Sequence, residues 1–325
     1  MTETVWDGSA STDWGTAANW SNGIGNDYHC ILPDMSSISN KPTLTGNVAV
    51  GSIRAVANSE IVGGGHTISC SLEGTSSEGY EHYTASFDGT ITGELNLIIT
   101  YGAEESKLDL NASSGSIHDL TINKSGGDNT VLDASTSITG TFWIKDGSAV
   151  MQGNSDTLSV TEGIKLGNGS DTGFFGHNNH TGAITAGYLE IVTSGSTFIS
   201  TEGTLTINSH SSNKAISNAG TFTNNDGTVL IDITNSNKTM VDARATYHHL
   251  IINSDGSNKD VELNNLAATV EGDLTVQEGK LYTYATSGRH LTVTGHVSIE
   301  DGGEIDMNNA AGKNATFKRL EIANG

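Results

Sequence analysis

The chain has 325 residues, of which 145 are Gly, Thr, Ser or Asn, and its 15 basic against 37 acidic residues leave a formal net charge of −22. So polar a composition supplies too little apolar area for one thick globular core, because burial must offset the loss of chain entropy. It leaves either disorder or a thin core spread along a repetitive architecture. The acidity excludes the usual nucleic-acid binders, whose phosphate contacts need clustered Lys and Arg; the arginines are Arg54, Arg244, Arg289 and Arg319. No apolar run approaches the roughly 18 residues of a membrane span, so no membrane insertion is expected.

The first thirty residues carry Trp6, Asp7, Asp13, Trp14 and Trp20, with neither a basic stretch nor an apolar one. A Sec signal peptide is therefore not expected. Residues 1–40 read as a Trp-rich cap or anchoring segment, with Trp6, Trp14 and Trp20 as the cap candidates. Cys30 and Cys70 are too few for a disulfide scaffold and lack metal-ligand spacing. They read first as free buried thiols and second as a pair.

Both prolines, Pro33 and Pro42, lie near the N-terminus. A turn-rich chain normally uses proline in its turns. Its absence from residue 43 onward implies that backbone N–H groups are wanted in a continuous ladder. Apolar residues alternate in short bursts bounded by Gly, Asn, Asp and Ser, as in Leu95-Asn96-Leu97, Leu158-Ser159-Val160, Leu205-Thr206-Ile207 and Leu291-Thr292-Val293. That pattern is all-β.

Two signatures recur. The first is an apolar residue, two spacers, Leu or Ile, one spacer and a second apolar residue: Ile117 to Ile122, Tyr247 to Ile252 and Phe317 to Ile322, with looser copies around Ile53 and Leu189. The central residues 53, 120, 189, 250 and 320 recur about every 67 positions. The second is Gly-x-apolar-x-apolar-x-x-Gly, through Phe142 and Ile144, Leu274 and Val276, and Val297 and Ile299. Glycines flanking each burst permit tight corners. Stacked coils would pair each strand with its equivalents one turn before and after, so a narrow apolar column suffices. The expected fold is a right-handed parallel β-helix over residues 41–325, with a β-sandwich array as the alternative. Each 67-residue unit divides into about three coils of roughly 22 residues. Because the chain stops soon after Leu320-Glu321-Ile322, the solenoid is expected to continue, or to be covered, beyond residue 325.

Several residue groups bear on chemistry. Asp133, Asp146, Asp171, Asp226, Asp273 and Asp301 could converge as a sugar-cleaving set, but most sit beside turn glycines, where Asp serves local backbone hydrogen bonds. Gly167-Asn168-Gly169-Ser170-Asp171 looks like half of a calcium-binding turn with no second copy one coil later, so Ca²⁺ is the one cofactor to weigh and none is expected. His177, His180, His248 and His249 offer imidazoles to a metal, against a plain structural reading. Alternation in Phe142-Trp143-Ile144 sends Trp143 outward, making it the first interface candidate. Phe174 and Phe175 read either as an exposed loop contact or as a plug at a coil corner.

The opening Trp6-Asp7-Gly8, Trp14 and Asn19-Trp20-Ser21-Asn22-Gly23 resembles the module start of secreted bacterial β-helix proteins. Gly227-Thr228-Val229, Tyr247 to Ile252 and Gly272 to Gly279 resemble, in that order, repeats of bacterial surface adhesins and of virion proteins of marine tailed phages. The resemblance implies a β-helix and a structural task. Without an export signal, the expectation is a non-enzymatic virion protein, a surface-displayed tail fibre, spike or capsid decoration used for attachment. Its partners would be other capsid or tail proteins and a cell-surface glycan, and a homotrimer is one assembly it allows. A secreted bacterial adhesin is the alternative, and a carbohydrate-active β-helix enzyme the third reading. High acidity suits a salty medium, where screening limits self-repulsion.

Overall fold

The structure is a computed structural model that describes residues 2–71, 83–100, 105–126, 129–209, 214–233, 239–242, 244–254, 260–264, 267–283, 290–307 and 315–322. Among them every regular element is a strand except one, the 3-10 turn Ala17–Asn19. The strands form stacked parallel coils, a β-solenoid of about 12 turns. Within each of two compact units, Met1–Thr157 and Leu158–Gly325, the strand pairs are parallel, which rules out the sandwich array.

In the first unit each coil has three faces. One face stacks Thr2–Val5, Tyr28–Leu32, Ser52–Ala55, Tyr83–Phe87, Ser106–Asp109 and Thr130–Leu132. A second stacks Val48–Val50, His66–Cys70, Leu95–Ile99, Leu120–Asn123 and the start of Thr141–Met151. The third is thin, with Glu60–Val62 beside Thr90–Thr92 and single bridges at Thr43 and Ser114. Alternation decides which side chains go in. In Leu95–Ile99, Leu95, Leu97 and Ile99 are buried while Asn96 and Ile98 are only half-buried. Each fully buried Leu, Ile, Val or Phe stabilises by about 1.5–3 kcal/mol relative to exposure, so a column one residue wide holds the stack.

The second unit repeats the plan. One inward column runs Leu205, Val229, Leu250, Leu274, Val297 and Leu320, and beside it run Ile207, Ile231, Ile252, Val276, Ile299 and Ile322. Another face carries an aromatic stack. Phe175, Phe198, Phe222 and Tyr247 lie one coil apart, with ring centroids 5.3, 5.8 and 5.6 Å from one to the next. Tyr247 is fully buried, and its hydroxyl donates to the Asp242 carbonyl at 2.9 Å. That bond satisfies the one polar atom the stack contains.

The register revises the repeat. Leu250 pairs with Leu274, Leu274 with Val297 and Val297 with Leu320. The two sequence signatures are therefore one position on successive coils, and Leu250 and Leu320 stand three coils apart. In the first unit Leu120 pairs with Phe142 in the same way. The looser copies belong elsewhere. Ile53 lies in the column of Cys30 and Ala85, and Leu189 pairs with Ile164 and Ile216. A motif that rests on a few apolar positions is too short to tell one face of a coil from another.

At the start of the chain Trp6, Trp14 and Trp20 are buried together, edge to face, with centroids 5.2 and 4.7 Å apart. Asn19 fastens the loop around them. Its Oδ1 accepts the Ala10 and Ser11 amides, and its Nδ2 donates to the Asp13 carbonyl. The same loop covers the outer edge of Thr2–Val5. Val5 N–H donates to Ser21 Oγ, Ser21 N–H to the Val5 carbonyl, and Asn22 Nδ2 to the Glu3 carbonyl. An edge strand's free backbone groups are thus satisfied within the chain.

Candidate functional site

Titratable side chains gather on the outward surface of one face of the first unit. Arg54, Ser86 and Asp109 are in register on three successive strands. Asp133 follows Leu132, which pairs with Leu108, and its amide donates to the Leu108 carbonyl at 2.9 Å. Asp88 follows Phe87, its amide donating to the Ala55 carbonyl at 2.8 Å. Asp88, Asp109 and Asp133 therefore occur once per coil, on strands about 4.8 Å apart. Lys107, aligned with Tyr83 and Val131, lies on the same surface.

The three carboxyls are not equivalent. Asp109 is half-buried, and burial is the main cause that lifts its carboxyl above the ordinary range. The Asn111 amide, 3.2 Å from Oδ1, opposes this, while the charges of Asp88 and Asp133 add to it. Asp133 instead accepts the Tyr83 hydroxyl at Oδ2. A carboxyl raised above the ordinary range beside a second carboxyl in a different setting is the kind of pair that can divide acid and base roles. At the head of the same face, His29 is buried with Nδ1 2.5 Å from Ser52 Oγ. Burial holds this imidazole below its ordinary value, Glu3 works against that and Arg54 with it. Ser52 is fully buried, so this contact joins two coils and offers no nucleophile to solvent.

The carboxylates picked out in the sequence are scattered, apart from Asp133. Asp273 Oδ1 accepts the His296 amide, one coil on, at 2.8 Å. Asp119 does the same for Thr141 at 2.7 Å, and Asn96 for Asp119 at 3.2 Å. These are rungs between coils; those of Asp119 and Asp273 lie beside Gly140, Gly272 and Gly295, and that of Asn96 starts within the strand Leu95–Ile99. Asp226 sits at φ 57° with His248 Nδ1 3.6 Å away, Asp301 is exposed, and Asp146 receives the Lys124 amide through its backbone carbonyl. Asp171 closes a local turn in which Asn168 Oδ1 accepts the amides of Ser170 and Asp171 at 2.9 and 2.8 Å. The Asn168-Gly169-Ser170-Asp171 segment thus spends its oxygens on itself.

The histidine pairs are ring contacts. His177 and His180 lie 5.8 Å apart, His180 buried, and His248 and His249 are 4.4 Å apart, edge to face. His249 Nδ1 accepts the Asp273 amide at 2.9 Å. Among the described residues no group of three or more His, Cys, Asp or Glu is arranged to hold a metal. Trp143 points outward and is half-buried, with Lys145 Nζ 5.6 Å from its ring centre. Phe174 is half-buried, but Phe175 is 1% exposed and stacked on Phe198, so its side chain is a core plug and presents no contact surface. Cys30 and Cys70 are free and buried, and burial pushes the Cys30 thiol up to about 12.

Sequence reasoning missed Asp88, Asp109, Arg54 and Tyr83. The signal was present, because Asp88, Asp109 and Asp133 are spaced close to the coil length of about 22 residues. Compared with known proteins, the chain matches no family model, no curated protein and no solved structure.

Proposed function

We propose that the protein is a non-enzymatic structural component of a virion, displayed at its surface as a fibre, spike or decoration that serves attachment. The observation that carries this reading is the use of polar side chains at and near the corners. Asp119, Asp273 and Asn96 each accept the backbone amide of a following coil, so these polar side chains go into stiffening the stack. A scaffold of that kind holds its outward faces fixed for neighbouring capsid or tail proteins and for a cell-surface glycan. Immunogold electron microscopy of the native source tests it. Gold on phage heads or tails is the expected result. Gold on cell envelopes with clean particles would replace the virion reading with a bacterial adhesin.

A second reading rests on Asp88, Asp109 and Asp133. The raised carboxyl of Asp109 beside the hydrogen-bonded Asp133 favours a carbohydrate-active face. Glycoside hydrolysis uses such a pair, one carboxyl as acid and one as base or nucleophile. Release of reducing ends from an acidic or neutral polysaccharide, abolished in both Asp109→Asn and Asp133→Asn, would establish it.

A further inference from the structure

We infer that a ladder of threonines on the outward side of the aromatic face, from Thr197 to Thr316, binds the surface of ice. Thr197 pairs with Thr221, Thr246 with Thr269, Thr269 with Thr292 and Thr292 with Thr316. Phe222 and Tyr247, the residues after Thr221 and Thr246, lie against each other at 5.6 Å and join the two runs. One threonine thus stands on each of six successive coils, about 4.8 Å apart, in a column about 24 Å long. Thr221 is exposed, and Thr197, Thr246, Thr269 and Thr292 are half-buried. Alternation turns them outward, since Phe198, Phe222, Tyr247, Val270 and Val293 beside them are buried.

Three observations select the ligand. The first is hydrogen bonding. Among the described residues none of the six hydroxyls bonds within the chain, whereas Thr201 and Thr294 give theirs to backbone carbonyls. The second is flatness. Behind the ladder the rings of Phe175, Phe198 and Phe222 stack with interplanar angles of 22° and 15°, so these coils turn little against one another. Branching at Cβ also restricts each threonine to few rotamers. Every rung therefore presents a methyl and a hydroxyl at one fixed repeat, and the oxygen lattice of ice repeats at nearly that spacing along one axis. The hydroxyls can stand in for lattice water while the methyls leave liquid water, which is favourable. The third is what the ladder lacks. It carries no charge to hold an anion. Phe174, in register with Thr197, heads the column, but Phe198, Phe222 and Tyr247 are turned inward, so no aromatic platform for a sugar runs along it.

The inference goes beyond the virion reading and does not depend on it, so gold labelling and ice binding can fail separately. Nanolitre osmometry of the intact chain, with a seeded ice crystal as the probe, tests it. The expected result is a gap between melting and freezing of the seed, with faceted growth. Thr246→Tyr and Thr269→Tyr each raise a ring above the ladder and should lose most of the gap. Thr206→Tyr changes an outward threonine on another face, in register with Thr185 and Leu230, and should keep it. Outward substitutions of this kind change stability little, and unchanged urea midpoints verify that the variants are folded. A round seed with no gap from the intact chain would overturn the inference. So would ladder variants as active as the parent, or an equal loss in Thr206→Tyr. A dimer in sedimentation equilibrium that Thr246→Tyr dissociates would also overturn it, because a second copy would then cover the ladder.

Discussion

The Tyr83 hydroxyl donates to the carboxylate of Asp133, reaching across the strand Ser106–Asp109 that lies between their two strands. One side chain thus ties three coils together, and the Asp109 carboxyl sits on the strand that is spanned. A carboxyl raised by burial and by like charges binds its proton more tightly folded than unfolded, so its ionisation opposes folding.

Stability from this group is therefore present at low pH and is lost as pH rises from the ordinary carboxylate value through the raised one. Asp109→Asn should stabilise the protein at pH 7 by roughly 0.5 kcal/mol, a small figure because the group is half-exposed and screened. The gain should vanish below about pH 4, where the parent carboxyl is protonated in both states. Urea midpoints of the two proteins across this range check the sign.

The aromatic stack predicts a large loss from one truncation. Phe198 is fully buried between Phe175 and Phe222. Phe198→Ala should destabilise by about 3–5 kcal/mol, and the urea midpoint should fall accordingly. Phe198→Leu, which fills most of the space, should lose less than half of that.

Two glycines share one backbone angle and differ in their surroundings. Gly176 and Gly169 both adopt φ 99°. A Cβ on Gly176 would sit 2.2 Å from the Ile199 carbonyl oxygen, whereas one on Gly169 meets nothing within 4 Å. Gly169→Ala should lose about 1–2 kcal/mol from backbone strain alone. Gly176→Ala should lose clearly more, and thermal melts of both variants separate strain from collision.

The coil rungs are testable at Asp273. Removing its acceptor by Asp273→Ala should cost about 1 kcal/mol, because the His296 amide loses its partner. Asp273→Asn keeps an oxygen in place and should stay within a few tenths. Equilibrium unfolding of both distinguishes a hydrogen-bonding role from a charge role.

The thiols should be silent in the native state. Burial raises both Cys30 and Cys70, with Cys30 adding to the effect at Cys70. At pH 8 a thiol reagent should label neither in the folded protein and both after denaturation, since the thiolate is the reactive form.

Much of the fold was legible from side-chain alternation and glycine punctuation, because a period of two and a corner residue are local properties. Leu205-Thr206-Ile207 and Leu274-Thr275-Val276 announce strands by themselves. Which face a strand joins is a matter of register with residues a coil away, so Ile53 and Leu189 could not be told from Leu250 by their own motifs. The candidate site was hidden for a related reason. Asp109 and Asp88 look like ordinary strand-end acids until the coil length is laid over them, whereas Asp273 and Asp171 draw the eye through glycines that only shape a corner.

The unequal steps in the inward column have a consequence for how such a protein changes over generations. Leu205 to Val229 spans 24 residues and Val229 to Leu250 spans 21, yet both steps close in parallel register. The strands fix the pairing and the corners absorb the difference, so loop insertions of a few residues need not propagate along the stack. A recombination event that duplicated or dropped one whole turn, for instance Val229 to Leu250, would leave matching rungs on either side of the junction. Gene length then becomes an adjustable dimension, altered in whole turns without redesigning any contact.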